Sequence, residues 1–155
     1  MPANTSHGLP YPLGTDRVMD GDDAIRGLAE ALDPAASPAA LAAQAGWTVQ
    51  SSSCWKLGAL CIVTASVTRT GADLVAGAQG NLTDANVCGP VPANMIPPER
   101  VYAVNFQSSA ANGGGRVNGT AQGATAGLIT LATMYPGSTL ASGAALDLYA
   151  VYMLA

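Results

Sequence analysis

The sequence predicts a mainly β protein: an antiparallel β-sandwich or jelly roll with a short N-terminal arm and helix. Three observations support this prediction. Segments with alternating polarity, rich in β-branched residues, recur after residue 46. Clusters of Gly, Pro, Asn and Ser separate these segments at short intervals, as turns do between strands. Charge is concentrated in the first 33 residues, which sets that segment apart from the rest of the chain.

The charge distribution also bears on assembly. Residues 1–33 hold six acids and two arginines, and the rest of the 155 residues hold four acids and four bases. Only 10% of residues are charged, against about a quarter in ordinary soluble domains. Large core side chains are scarce, with a single Phe, and burial between subunits would compensate for them. We therefore expect a homotrimer or a fixed part of a larger particle.

Residues 1–33 are predicted to be an arm followed by an anchoring helix. Prolines exclude a helix from the first 20 residues, whose alternating apolar side chains could dock on a partner. A helix is expected over 21–33, with Asp20 as its cap and Asp22 and Asp23 in its first turn. The predicted anchor and trimer seam consists of Leu9, Tyr11, Leu13, Val18, Ile25, Leu28 and Leu32. The alternative is an amphipathic helix that packs on its own domain.

Residues 34–46 are predicted to be a linker, because Pro34 and Pro38 interrupt the chain before an Ala-rich stretch that ends at Gly46. The stretch has room for one or two helical turns. The β domain is then expected over 47–155.

Within that domain, segment 59–69 shows the clearest strand pattern, with Cys61, Val63, Ala65 and Val67 on one face. The other expected strands are 47–57, 73–77, 100–109, 115–121, 126–134 and 144–154. Turns are expected at GNLTDAN (80–86), ANGGG (111–115), YPGS (135–138) and ASG (141–143). The proline-rich segment 88–100 is expected to cross between sheets before a strand that begins near Arg100.

The sequence contains few residues that could support catalysis or bind a cofactor. The single histidine, His7, lies in the arm, and no nucleophile, metal or phosphate-binding motif is present. Asp20, Asp22 and Asp23 match only part of a calcium loop, and the acids after residue 33 are dispersed. We therefore predict no enzyme, no catalytic residue, no metal and no cofactor. A net charge of −4 also argues against a nucleic-acid partner.

Three cysteines, Cys54, Cys61 and Cys88, are expected to be small buried residues of a chain made in a reducing cytoplasm. Whether two of them pair is open at this point. The N-terminus has no pattern of a secretory leader, and no apolar run is long enough to span a membrane.

The order of the blocks resembles a known architecture. LGALCIVTASVTRTGADL is followed by GPVPANMIPPERVYAVNF, GGGRVNGTAQGATAGLITL and the last strand LDLYAVYML. This order is similar to the C-terminal head domains of bacteriophage tail fibres and receptor-binding proteins. The start, LPYPLGTDRVMDGDDAIRGLAEALD, resembles that of small virion proteins from phages of actinobacteria. One departure is that the prolines precede Arg100 rather than follow it.

The resemblance implies a trimeric virion protein, made in the host bacterial cytoplasm, that binds the host cell surface as a tail fibre, spike or minor tail protein. Residues 1–33 would attach it to other virion proteins. Cell-wall glycan is an expected ligand, contacted by loop aromatics and amides: Gln107, Asn112, Asn118 and Tyr135. The alternative is a trimeric capsid decoration protein that stabilises the shell. A third, less favoured hypothesis is a glycan depolymerase.

Overall fold

The structure is a computed structural model that describes residues 3–4, 10–11, 40–109 and 111–154. Strand accounts for 54% and helix for 8%, which confirms the predicted mainly β class. The strands are β1 (Ala3–Asn4), β2 (Pro10–Tyr11), β3 (Trp47–Leu57), β4 (Leu60–Arg69), β5 (Leu74–Val75), β6 (Asn81–Cys88), β7 (Val101–Gln107), β8 (Asn112–Val117), β9 (Ile129–Met134), β10 (Thr139–Leu140) and β11 (Ala145–Met153). Two short 3₁₀ helices cover Ala93–Met95 and Thr120–Thr125.

Seven of these strands form one antiparallel sheet in the order β3-β4-β11-β7-β8-β9-β6. The sheet curls so that its two edges meet. The backbone N–H of Gln44, just before β3, donates to Val87 O in β6 at 3.0 Å, and Gly89 N–H donates to Ala42 O at 2.9 Å. Two halves of the sheet's inner face thereby enclose one core, in the manner of a sandwich. Strands β5 and β10 pair separately, as do β1 and β2.

The core lies on the inner face, where alternate residues of each long strand point. In β4 the predicted inner residues, Cys61, Val63, Ala65 and Val67, are all buried. In β11 the buried residues alternate in the same way: Leu146, Leu148, Ala150 and Tyr152. The two strands pair residue for residue from Leu60 to Thr68. Strict alternation in the sequence therefore identified the inner face correctly, because successive strand side chains point to opposite sides.

Two of the segments expected to be turns are strands. Residues 80–86 lie largely within β6, which buries Leu82 and Val87 and pairs with β9. Residues 111–115 lie largely within β8, which is inserted between β7 and β9. Their Asn, Thr and Gly residues indicated turns. Pairing on both sides overrides that local preference in β8, and pairing with β9 together with core burial overrides it in β6. The turns at 135–138 and 141–143 are present as predicted.

Residues 40–46, which the sequence assigns to the linker, are part of the β domain. Leu41 is buried in the core, and its backbone N–H donates to Ser52 Oγ at 2.9 Å. These seven residues contain no helical turn. Contacts divide the chain into two units, Met1–Ala35 and Ala36–Ala155. A β domain prepared alone should therefore begin at Ala36 rather than at Trp47.

The proline-rich crossing is observed where the sequence predicts it. It contains the first 3₁₀ helix, whose Met95 is buried. Tyr152 Oη donates to Met95 O at 2.7 Å and joins the crossing to β11. The strand that follows begins at Val101.

The predicted helix over 21–33 lies outside the described residues, as does the anchor set Leu9, Leu13, Val18, Ile25, Leu28 and Leu32. Tyr11 is described only as part of β2. In the part of the chain that the structure describes, no helix has the length and apolar character needed to cross a membrane.

Candidate surface-binding site

The outer face of the sheet carries two rows of polar side chains that run across the strands. The first row is continuous over five strands because each member lies directly opposite the next in the registered pairs. It consists of Ser51 in β3, Ser66 in β4, Asp147 in β11, Gln107 in β7 and Asn112 in β8. At about 4.8 Å between neighbouring strands, the row is roughly 20 Å long.

The second polar row lies one residue pair further along the same face. It consists of Ser53, Thr64, Tyr149 and Asn105 on strands β3, β4, β11 and β7. Tyr149 is 53% exposed, so much of its side chain is open to solvent beside the hydroxyls and amides. The two rows together place an aromatic ring next to hydrogen-bonding groups of several kinds.

Depressions follow these rows. One, with a volume of about 330 Å³, is lined by residues of β3, β4 and β11 that include Ser53 and Tyr149. A second, of about 560 Å³, is lined by residues that include Gln107 and Ser109. Ser66 and Asp147 line both depressions, which therefore adjoin along the first row. An extended ligand could lie across this surface without a change in the backbone.

Three of the four residues predicted to bind a surface lie at one end of this region. Gln107 and Asn112 are cross-strand neighbours in the first row. Tyr135 is 77% exposed, and its backbone N–H donates to Asn112 O at 3.3 Å. Asn112 and Tyr135 also line a common depression of about 550 Å³ with Ser138, whose hydroxyl donates to Tyr135 O at 2.6 Å.

The fourth residue, Asn118, was placed wrongly by the sequence. It is 3% exposed, beyond the opposite end of β8, and it belongs to a buried hydrogen-bond network. Arg116 Nε donates to Asn118 Oδ1 at 3.1 Å, and Asn118 Nδ2 donates to Thr130 Oγ1 at 3.1 Å. Thr130 Oγ1 in turn donates to Asn86 Oδ1 at 2.7 Å. A buried amide requires such partners, so Asn118 has a structural role and no contact with a surface ligand.

Sequence reasoning missed Ser51, Ser66, Asp147 and Tyr149. The outward alternation of hydroxyl residues in β4 was visible in the sequence. Its alignment with Asp147 and Gln107 was not, because these residues are far apart in the chain and only the sheet order brings them together.

The outer face changes character beyond the polar rows. Trp55, Ile62 and Val151 lie opposite one another on β3, β4 and β11, and the next row is Leu57, Leu60 and Met153. We call these six side chains the apolar rows. Leu57, Val151 and Met153 are 43%, 49% and 64% exposed. The same three strands thus present a polar half and an apolar half to the outside.

Asp73, Glu99 and Asp147 lie on different elements of the fold. Asp73 accepts a hydrogen bond from Ser142 N–H at 2.8 Å and so fixes a loop. Asp147 lies in the first polar row, and Glu99 lies in the loop before β7. Over residues 40–109 and 111–154, no three His, Cys, Asp or Glu side chains are arranged to hold a metal ion.

The three cysteines are free and buried on the inner side of the sheet. Burial raises the pKa of all three thiols. Repulsion from Cys61 adds to the effect at Cys54, and repulsion from Cys54 adds to it at Cys88. At Cys61 the charge of Lys56 and a hydrogen bond with Tyr152 oppose it. Cys88 reaches a pKa of about 12. An unfolded Cys88 ionises near pH 9.0, so the folded state binds its proton more tightly. The resulting contribution to stability is complete below pH 9 and is lost as the pH rises towards 12.

We expect these thiols to be inert in the folded protein at neutral pH, because the thiolate is the reactive form and burial disfavours it. A colorimetric disulfide reagent should detect no thiol in the folded chain and all three after unfolding in guanidinium. Above pH 9 the unfolding midpoint should fall more steeply for the native protein than for Cys88→Ala. Rapid labelling of the folded protein at neutral pH would contradict this assignment.

The chain matches no protein-family profile, no curated protein and no solved structure.

Proposed function

We propose that this chain is a structural virion protein, assembled as a trimer, whose β domain binds glycan on a bacterial cell surface. The observation that supports the proposal best is the first polar row with Tyr149 beside it. The order of the sequence blocks supports the phage origin, and the acidic segment 1–33 is the proposed attachment to the particle.

The chemistry of the polar rows suits a carbohydrate. Hydroxyl, amide and carboxylate groups can donate to and accept from sugar hydroxyls, and an aromatic face packs against the apolar face of a sugar ring. The contacts are shallow, so a single copy would bind weakly. Three copies bound to a repetitive surface would raise the overall avidity through effective concentration.

Binding to cell walls tests this proposal. Purified full-length protein should sediment with cell walls from actinobacteria, and Tyr149→Ala or Gln107→Ala should weaken binding by about tenfold, or about 1.4 kcal/mol per site. Tyr102→Ala is the matched control, because Tyr102 is 68% exposed near the other end of β7 and packs beside Arg116. It should bind like the native protein.

The other outcomes separate the alternatives. Release of reducing sugar, abolished by Asp147→Asn, would indicate a glycan depolymerase instead. If the protein neither binds cell walls nor releases sugar, the result would favour a capsid decoration protein. Immunogold labelling of virions would then show the chain over the shell rather than on the tail. Equal binding by Tyr149→Ala and the native protein would exclude the polar rows as the site.

A further inference from the structure

We infer that the apolar rows are the surface through which copies of this chain pack against one another. The inference rests on the trimeric assembly proposed above and assigns that assembly to one half of the outer face of β3, β4 and β11. It thereby places the intersubunit contact next to the polar rows on the same strands.

The exposed area is the first argument. Leu57, Val151 and Met153 are about half exposed, and Trp55, Leu60 and Ile62 are partly exposed. Taking about 200 Å² for a fully exposed side chain of this size, the six present on the order of 400 Å². A stable interface buries roughly 800 Å² per partner, of which about 57% is apolar, or about 450 Å². The apolar rows therefore supply close to the apolar share that such an interface needs.

The absence of charge from these six side chains is the second argument, and it favours a second copy over other occupants. In a trimer the same patch of all three copies can converge on the threefold axis, which brings like residues together, so a charged patch there would repel its own copies. A lipid surface would instead need a rim of Lys or Arg. The base between Trp55 and Leu57, Lys56, is registered with the buried Cys61 and so belongs to the opposite face.

The arrangement in the sheet is the third argument. The six residues form two complete rows across three strands, so they present a continuous surface rather than scattered side chains. The solvated face of an antiparallel sheet is usually polar, as it is in the polar rows here. A contiguous exposed apolar patch of this kind marks an interaction site, and packing against another sheet is one way to bury it.

The test compares two substitutions in the full-length chain. Val151→Glu places a charge in the apolar rows, whereas Val75→Glu places the same charge at a residue that is 63% exposed in β5. Native mass spectrometry at micromolar concentration should give about three times 15.4 kDa for the native protein and for Val75→Glu. Val151→Glu should give the single-chain mass, with a circular dichroism spectrum that remains β-type.

A second measurement needs no substitution. Met153 is 64% exposed in the isolated chain and Met95 is buried. In the assembled protein, peroxide should oxidise Met153 at least tenfold more slowly than free methionine, at a rate close to that of Met95. This measurement decides the question if Val151→Glu fails to fold.

Three results would overturn the inference. An unchanged trimer in Val151→Glu, with Met153 oxidised at the free rate, would place the interface elsewhere and leave the proposed function standing. A monomeric native protein with protected Met153 would mean that a segment of the same chain covers the rows. A monomeric native protein with reactive Met153 would refute both this interface and the proposed trimer, whereas glycan binding is judged separately by the Tyr149→Ala comparison.

Discussion

Replacing Gly115 with alanine is expected to lower the free energy of unfolding by about 3 kcal/mol. Gly115 lies in β8 where β9 passes unusually close. A Cβ atom there would overlap the carbonyl oxygen of Thr130 and lie 3.1 Å from Leu131 Cα. Both are backbone atoms of the central sheet, so relief requires the strands to separate, and overpacking of this kind costs on the order of 1–3 kcal/mol or more.

The neighbouring glycine provides the matched control. A Cβ at Gly114 would lie 3.6 Å from Val104 O, an ordinary contact, and 3.3 Å from Thr133 Oγ1, a tight contact that rotation of this exposed side chain relieves. Gly114→Ala should therefore leave stability within about 0.5 kcal/mol of the native value. Urea unfolding followed by circular dichroism measures both variants. If the two alanine variants unfold at the same urea concentration, the close approach of β9 to β8 is not the reason for a glycine at position 115.

Replacing Asn118 with alanine is expected to cost about 2–3 kcal/mol of stability. Its amide joins Arg116 to Thr130 inside the protein, and its loss deprives both of a hydrogen-bond partner in a buried setting. Desolvated polar groups that lose a partner are penalised by about 1–3 kcal/mol each. In the described residues every buried side-chain nitrogen and oxygen has a partner, so removal of the Asn118 amide breaks a network that is fully satisfied in the native protein.

Asn112→Ala is the control for this change, because Asn112 is the same residue type at the exposed start of β8, the strand that ends one residue before Asn118. We expect its unfolding midpoint to match that of the native protein. The decisive comparison is thermal unfolding of the two variants at equal protein concentration, since an oligomer's melting temperature depends on concentration. Equal melting temperatures would show that the buried network contributes nothing measurable.

The two proposals for the outer face require different solvent exposure of neighbouring parts of the same strands. The polar rows must remain open to a ligand, and the apolar rows must be covered by another copy of the chain. Tyr149 lies in the polar row nearest to Val151, so it marks the boundary between the two halves. Substitutions in the two halves should therefore have different effects. Val151→Glu should change the mass of the assembly, and Tyr149→Ala should change glycan binding without changing that mass.

Several features were determined by the sequence alone. The alternation in 59–69 fixed the inner face of β4, because side-chain direction along a strand is a local property of two-residue period. The strand expected over 144–154 is likewise observed, as β11. The prolines of 88–100 excluded regular pairing there, since proline lacks the backbone donor that a central strand requires.

Other features of the fold and of the candidate site depend on the tertiary structure and could not be predicted from the sequence. β6 and β8 are strands because neighbours on both sides pair with β8 and because β6 completes the core, although their Asn and Gly residues favour turns locally. Asn118 is buried because the chain after β8 turns inward towards Thr130. The polar row from Ser51 to Asn112 exists only through the order β3-β4-β11-β7-β8. Register between strands far apart in sequence depends on long-range packing, which no local pattern of residues encodes.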